Sequence, residues 1–303
     1  MKCLLLPLLW SLCLLFASAQ DAAVPQKQPP HPAVSKGMVW KVTGGNCTVY
    51  LAGSIHLLRK SDHPLPPVFE TAYQDASQLV FEIPPSEMND PKVAMKMLAA
   101  AMLEDGKSLN EVLSADGARA LQEWKGDALT KSVVAKMKPA MAALAIMEFE
   151  YARLKIRPEH GVEAAFEKKA AADGKPVTGL ETVDFQLGLF LDMPLALQDQ
   201  MLRETLAQLK RTGKIMEEMI GWWRTGDDAA LGKSMHEEFA DFPEIEKRLL
   251  LDRNAAWVPK VEKLLAGDKN TLLIVGAGHL CGKGSVIDLL EKTGRKVTRV
   301  EPY

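Results

Sequence analysis

The chain has 303 residues, of which 47% are hydrophobic and 25% are charged. This is an ordinary globular composition, and it provides enough chain to bury a large core in one large domain or two small ones. The formal net charge of −2 excludes a strong basic field, which is what holds nucleic acid or an anionic membrane surface. We therefore expect no nucleic acid partner.

The first 19 residues have the pattern of a secretory signal peptide. Lys2 supplies the positive start, residues 4–16 form an apolar run, and residues 17–19 (Ala-Ser-Ala) form a small-residue cleavage site. The run is too short to span a bilayer and no comparable run follows it, so we expect no stable membrane insertion after cleavage. Cys13 raises the alternative of a lipoprotein signal, but Leu12 precedes it where such a site requires a small residue. The pattern favours a periplasmic or secreted protein.

Residues 20–37 are rich in Pro, Ala and Gln, and they predict a flexible linker before a folded domain over 38–303. The domain begins with two strand-like runs, 39–42 and 47–51, which flank a Gly-Gly-Asn turn and predict a β-hairpin. A helix that begins at a Pro-Pro pair and a short buried strand over 78–83 follow.

The region of about 90–265 is predicted to be mostly helical, because apolar residues recur three and four positions apart. Residues 175–179 interrupt it with a short strand-like run. The predicted helices cover residues 94–103, 109–124, 140–154, 162–172, 195–223, 229–239 and 245–265.

The C-terminal part predicts a strand, a helix and a last strand. Residues 271–275 read as a buried strand, and 285–293 as a helix that Ser285 could cap and Gly294 would close. Residues 296–300 would form the last strand. This order suggests parallel neighbours, and ligand sites in such sheets lie beyond the carboxyl ends of the strands.

Two short stretches share one construction: residues 53–56 (Gly-Ser-Ile-His) and 276–279 (Gly-Ala-Gly-His). Each follows a strand-like run, with a glycine that lets the backbone turn sharply or approach something closely. Each has a histidine three residues after that glycine, and the chain has only six histidines. One such histidine is usually structural, but two matching copies favour a metal-ligand or acid–base role. The second stretch lacks the third glycine and the downstream acid of a dinucleotide-binding loop, which disfavours a nucleotide site.

Two acidic residues are further candidates for the functional site. Glu82 is a single acid within an apolar strand, and burying it would cost several kcal/mol unless it is paired or bound to a cation; the alternative is that strand twist exposes it. Glu181 follows the short strand and could lie beside Glu82. Its alternative is a helix N-terminal carboxylate that opposes the helix dipole.

Six short motifs occur in a fixed order over roughly residues 38–301. They are Trp40-Lys41-Val42, 51–56 (Leu-Ala-Gly-Ser-Ile-His), Phe81-Glu82, 179–182 (Gly-Leu-Glu-Thr), Arg253-Asn254 with Trp257, and 275–280 (Val-Gly-Ala-Gly-His-Leu). Together they resemble the TraB/GumN family, which is related to the Tiki proteases and more distantly to the erythromycin esterase and haem-binding ChaN-like proteins. The resemblance implies an α/β fold with a mixed sheet core and a large helical insertion.

The resemblance also implies a metal-dependent hydrolase site with His56, Glu82 and His279 as metal ligands. Such a set can hold a divalent cation and leave a position for water, which the metal makes acidic enough to attack a carbonyl. The set suits zinc, manganese or iron. Glu181 or Glu82 itself could take the proton, and Arg253 could contact the substrate or stabilise the oxyanion. The alternative for Arg253 is a helix-surface arginine that pairs with a nearby acid.

The expected function is therefore an exported metal-dependent hydrolase that acts on a peptide or small-molecule substrate. One rival is a non-catalytic protein that binds haem or metal through the same histidines, as the ChaN-like relationship allows. Another is a scaffold or regulatory protein with a vestigial site. Turnover of a peptide or ester library separates the first two, and a haem absorption band on titration would favour the rival.

Cys47 and Cys281 remain after signal cleavage, each near one of the histidine motifs. A thiolate ligand or nucleophile is one interpretation of them. Because no cysteine recurs at metal-ligand spacing, a disulfide or two buried thiols are favoured. A disulfide requires Cα atoms about 4.4–6.8 Å apart, which only a structure can test.

Overall fold

A six-stranded mixed sheet forms the centre of the computed structural model, which describes residues 35–301. The predicted signal peptide and most of the predicted linker lie outside the described residues. The strands are β1 (Val39–Thr43), β2 (Val49–Ser54), β3 (Gln78–Phe81), β4 (Val177–Gly179), β5 (Thr271–Gly276) and β6 (Lys296–Arg299).

The order across the sheet is β4-β3-β5-β2-β1-β6. β4, β3, β5 and β2 are parallel neighbours, whereas β1 is antiparallel to both β2 and β6. The predicted hairpin is confirmed by the pairing of β1 with β2. The prediction that the last two strands are neighbours is wrong, because β2 and β3 occupy both sides of β5. β5 is buried at every residue, while β6 alternates between exposed and half-buried residues, a pattern that suits the sheet edge it occupies beside β1.

The described residues also form fifteen α-helices. They are α1 (Pro67–Asp75), α2 (Pro85–Met88), α3 (Pro91–Ala101), α4 (Leu109–Val112), α5 (Ala115–Glu123), α6 (Ala128–Val134), α7 (Pro139–Arg153), α8 (Val162–Asp173), α9 (Val183–Leu191), α10 (Leu195–Gln208), α11 (Thr212–Thr225), α12 (Asp228–Phe239), α13 (Pro243–Glu246), α14 (Asp252–Leu265) and α15 (Val286–Lys292). Short 3₁₀ turns lie at Lys60–Asp62, Pro158–His160, Leu209–Arg211 and Ala277–Leu280. The α/β fold with a large helical insertion is confirmed.

The helical insertion is more broken than its apolar pattern predicts. The expected helix over 109–124 is two helices, because Ser114 caps the second of them by accepting a hydrogen bond from the Gly117 amide. The expected helix over 245–265 contains a π-helical segment, Lys247–Leu251, before α14. The sequence prediction missed α6 and α9. In α9 the apolar residues are nearly continuous, so the sequence shows no clear helical period there.

Gly53 lies inside β2 and permits close packing rather than a sharp turn. A Cβ at this position would stand 3.1 Å from the Cα atom of Ala277 and 3.3 Å from the Cβ atom of Met38. The fully buried Trp223 of α11 donates its indole N–H to the Gly53 carbonyl at 2.7 Å. This bond ties α11 to the sheet next to the first histidine motif.

Cys47 and Cys281 are free thiols, so the disulfide alternative is not what the structure contains. The Cys47 thiol donates to the Leu264 carbonyl at 3.1 Å. Cys281 is buried, and this burial raises the pKa of its thiol. Among residues 35–301, no helix combines the length and apolar content needed to cross a membrane.

Candidate active site

The carboxyl ends of three parallel strands meet at one edge of the sheet, and the predicted ligands follow them. β2 ends two residues before His56, β3 ends directly before Glu82, and β5 ends three residues before His279. Since β5 lies between β2 and β3, the structure brings these three side chains together. Their role as metal ligands stays a prediction.

Glu82 is at the centre of the cluster and only 4% exposed, so strand twist does not carry it to the surface. Its Oε1 atom accepts the Gly276 amide hydrogen bond at 2.8 Å, and its Oε2 atom accepts one from Nη2 of Arg253. Burial alone would raise the pKa of this carboxyl, but the positive charge of Arg253 holds it well below its usual range. Glu82 is therefore ionised despite its burial.

The environment of His279 fixes its tautomer. The side-chain amide of Asn254 donates to the Gly284 carbonyl at 2.9 Å, so its Oδ1 atom faces Nδ1 of His279 at 2.6 Å and accepts a hydrogen bond from the N–H group there. The Nε2 lone pair then accepts from Nη1 of Arg253 at 3.1 Å. Burial and the Arg253 charge lower the pKa of His279 to about 3, which keeps the imidazole neutral.

His56 has a carboxylate partner that the sequence analysis did not identify. Its Nδ1 atom lies 2.6 Å from Oε1 of Glu163, which also accepts a hydrogen bond from the Ser54 hydroxyl. Burial alone would lower the pKa of His56, but Glu163 and then Glu82 raise it to about 9. The other ring nitrogen, Nε2, lies 3.8 Å from Oε1 of Glu82.

The start of α8 is what carries Glu163 to His56. The Val162 amide donates to the Ile55 carbonyl at 3.2 Å, which joins the first turn of α8 to the end of β2. Gly161 makes this approach possible, because a Cβ there would stand 1.9 Å from the His56 carbonyl oxygen. Glu163 therefore reaches the site through an interaction between elements that are far apart in the sequence.

Arg253 is buried at 3% exposure, so it is not the surface arginine of the alternative interpretation. Its Nε atom donates to Glu181 at 3.0 Å and its Nη2 atom at 2.8 Å, while the same guanidinium contacts Glu82 and His279. The indole of Trp257 donates to Glu181 at 2.8 Å and the amide of Gln186 at 2.9 Å. Both Glu181 oxygens thus have donors, and these contacts make Glu181 a carboxylate that holds Arg253.

Gly276 leaves open the space between the two imidazoles and Glu82. A Cβ at this position would stand 3.1 Å from Nε2 of His56, 3.3 Å from Oε1 of Glu82 and 3.6 Å from Cδ2 of His279. Any larger residue would therefore project into the centre of the cluster.

Two imidazoles and one carboxylate are the types of donor that divalent cations bind. The Nε2 atoms of His56 and His279 lie 3.8 and 3.9 Å from the same Glu82 oxygen. The other nitrogen of each ring is held by an oxygen atom, which is the outer-shell arrangement that orients histidine ligands. Across residues 35–301, however, no group of three or more His, Cys, Asp or Glu side chains stands at metal-binding spacing. A cation would have to compete with Arg253 for Glu82 and for the His279 lone pair.

A narrow pocket opens beside the two histidines. It has about 20 Å³ of room for water-sized molecules, enough for about one water. One wall consists of Ser54–His56 and Gly276–His279. Glu82, Arg253 and Glu181 are not among the residues that line it.

Glu163 and Gln186 are the site residues that sequence reasoning missed. Neither lies in a motif with chemical meaning, and both occupy the first turn or turns of ordinary helices. The only local signal for Glu163 was a glycine before a helix whose first turn carries an acid, and this pattern is common at helix N-termini. Only the packing of α8 and α9 around the sheet edge assigns these two residues to the site.

Residues 38–299 match the profile of the TraB/PrgY/gumN family. The chain is similar to "Uncharacterized protein YbaP" of Escherichia coli (strain K12), with 25% identity over 254 residues that cover 81% of this chain and 89% of the relative. The protein of the same name from Shigella flexneri matches equally, with 25% identity over 254 residues. An uncharacterized protein of Treponema pallidum (strain Nichols) is 22% identical over 275 residues, which cover 84% of this chain and 80% of that protein. No solved structure matches this chain.

Proposed function

This chain belongs to the TraB/PrgY/gumN family, and from that premise we propose that it is an exported metal-dependent hydrolase of peptide or small-molecule substrates. One observation carries the proposal: the Nε2 atoms of His56 and His279 lie 3.8 and 3.9 Å from the same Glu82 oxygen. Two imidazoles and one carboxylate at a strand edge form a donor set typical of catalytic metal sites.

In this proposal His56, His279 and Glu82 hold the cation, for which zinc, manganese and iron are the candidates. A bound divalent cation supplies a Lewis acid and makes a water molecule acidic enough to attack a carbonyl. The protein supplies the orientation. Asn254 keeps the proton of His279 on Nδ1, and Glu163 does the same for His56 when that ring is neutral.

In this proposal we give Arg253 and Glu181 roles that differ from those expected from the sequence. In the metal-free protein, Arg253 balances the negative charges of the buried carboxylates of Glu82 and Glu181, and Glu181 holds the guanidinium in place. Arg253 also donates to His279, so its positive charge disfavours a bound metal cation next to that histidine. We therefore assign Arg253 to tuning the cation affinity, and we assign the orientation of Arg253 to Glu181.

Export rests on the tripartite pattern of the first 19 residues. N-terminal sequencing of the mature protein should begin at Gln20. A retained Met1 on a cytoplasmic protein, or a lipid on Cys13, would contradict this part of the proposal.

The rival function, haem binding, has less support from the site. The pocket beside the histidines has room for about one water molecule, whereas a haem macrocycle requires a much larger apolar cavity. A haem absorption band on titration of the purified protein would reverse this assessment.

Metal analysis of the purified mature protein tests the proposal most directly. We expect stoichiometric zinc, manganese or iron after dialysis against the metal, and we expect turnover of a peptide or ester library that chelator removes and metal restores. His56→Ala and His279→Ala should each abolish metal retention and turnover while the circular dichroism spectrum is kept.

His236→Ala is the matched control, because the His236 side chain is 80% exposed and lies outside the cluster. It should leave metal content and turnover unchanged. Absence of retained metal in the wild-type protein, or equal metal content in all three variants, would overturn the proposal.

A further inference from the structure

The pocket beside the two histidines has two chemically different walls. One wall carries the two histidine motifs at the ends of β2 and β5. The other consists of Met216 and Met219 of α11 together with Leu231 and Met235 of α12. This apolar wall, as we call these four residues, carries no charge and no hydrogen-bonding group apart from thioether sulfur.

The apolar wall is held close to the second histidine motif. Gly232, next to Leu231 in α12, packs against the chain just after His279, where a Cβ on Gly232 would stand 3.2 Å from the Gly282 nitrogen and 3.3 Å from the Cys281 carbonyl carbon. The four wall residues are themselves almost fully buried. A group that enters beside the histidines therefore has to press against apolar side chains.

Burial of this kind selects the chemistry of the occupant. A polar or charged group would lose its hydrogen bonds to water on entering and would find no replacement on this wall, which costs several kcal/mol. An apolar group gains free energy roughly in proportion to the area it buries. The three methionines are unbranched and readily change rotamer, so the wall can make room for a group larger than the water-sized space now present.

We propose that this pocket binds an apolar group next to the bond that is cleaved, so that the substrates are esters or amides with a flexible aliphatic or aromatic chain there. The inference rests on the proposed function for the nature of that bond. The binding preference itself rests on the pocket alone and can be measured without turnover.

Methionine-methyl NMR tests it on the full mature chain. Protein labelled with ¹³C at the methionine methyl groups is titrated with acetamide, butanamide and hexanamide, which are neutral and differ only in chain length. We expect the Met216, Met219 and Met235 methyl resonances to shift, and the affinity to rise by about fourfold for each added methylene until the pocket is filled. The methyl of Met95, which is 74% exposed and outside the pocket, is the internal control.

A charged probe and two variants sharpen the test. Adipamic acid has the same carbon chain as hexanamide with a carboxylate at the far end, and it should bind at least tenfold more weakly. Met219→Ala should move the best ligand to a longer chain. Should this variant fail to fold, Met219→Leu keeps the volume and should narrow the accepted range of chain lengths, because leucine is branched and stiffer.

The outcomes separate this inference from the proposed function. The methionine resonances could shift with chain length in a protein that holds no metal and turns over no ester. That result would support the apolar binding preference and overturn the proposed hydrolase function. Turnover of acetyl and hexanoyl esters at equal rates, with no selective methionine shifts, would overturn the apolar binding preference. The proposed hydrolase function would be unaffected by that result. Equal shifts at Met95 and at the pocket methionines would also overturn the apolar binding preference, since they report non-specific binding.

Discussion

Nδ1 of His56 lies 2.6 Å from Oε1 of Glu163, and this pair controls the charge of the first histidine in the site. Nothing in the local sequence of either residue indicates the other. The carboxylate acts against burial and raises the pKa of His56 to about 9 from the ordinary 6.5. Glu163 therefore belongs to the site as firmly as the residues that the sequence motifs identify.

Removing the charge of Glu163 should release His56 from this control. In Glu163→Gln we expect the pKa of His56, followed by NMR titration of its ring, to fall from about 9 toward 6.5, because the largest opposing charge is gone. Glu167→Gln is the matched control: it lies one turn further along α8 and contacts Ser86 instead. An unchanged His56 titration in Glu163→Gln would refute the pairing.

The neutral state of His279 predicts acid sensitivity. Its pKa is about 3 in the folded protein against 6.5 for the ordinary side chain, so the unfolded chain takes up a proton before the folded one does. The stability that this histidine contributes is present above pH 6.5 and is lost as pH falls from 6.5 toward 3. Urea midpoints measured from pH 7 to 4.5 should fall steadily. In His279→Gln the urea midpoint should depend less on pH between 7 and 4.5, and it should be lower than that of the wild-type protein at neutral pH.

Arg253 should be the most costly single residue to remove from the cluster. Arg253→Met leaves Glu82 and Glu181 buried without the guanidinium that pairs with both of them, and we expect a loss of about 3–5 kcal/mol in the free energy of unfolding. Arg253→Lys keeps the charge but loses the forked contacts, so its loss should be smaller. Arg153→Met, at an exposed ion pair with Glu150, should change stability by less than about 0.5 kcal/mol. Equal losses of unfolding free energy in Arg253→Met and Arg153→Met would contradict the buried ion pairs of Arg253 with Glu82 and Glu181.

Gly276→Ala tests the space between the imidazoles without removing any polar group. The added methyl would stand 3.1 Å from Nε2 of His56 and 3.3 Å from Oε1 of Glu82, so we expect metal retention to fall at least tenfold while the protein stays folded. Gly221→Ala is the control, because nothing lies within 4 Å of its added Cβ. Within helix α11 this change should stabilise the protein by about 0.5–1 kcal/mol. Full metal retention in Gly276→Ala would argue against a cation in that space.

The elements that sequence analysis predicted correctly have local causes. The hairpin of β1 and β2 follows from two apolar runs around a glycine-containing turn. The cap of α15 follows from Ser285, whose side chain accepts the Asp288 amide as expected. Gly294 ends that helix with a positive φ of 86°. Breaks such as the one at Ser114 escaped prediction, because a capping serine inside an apolar repeat resembles any other polar residue of the helix.

The sequence by itself determined the family, TraB/PrgY/gumN, and the positions of two histidines and one glutamate at strand ends. It could do so because strand-like runs, glycines and the order of the motifs are all local features of the sequence. Only the tertiary structure decided which groups surround these three residues. Helix packing at one sheet edge decides the pairing of Glu163 with His56, the burial of Arg253 between Glu82 and Glu181, and the position of the apolar wall in the pocket beside the histidines. Such contacts join residues far apart in the chain, and no local pattern encodes their distances. For the same reason Cys47 and Cys281, each near a histidine motif in sequence, remain separate thiols in the folded protein.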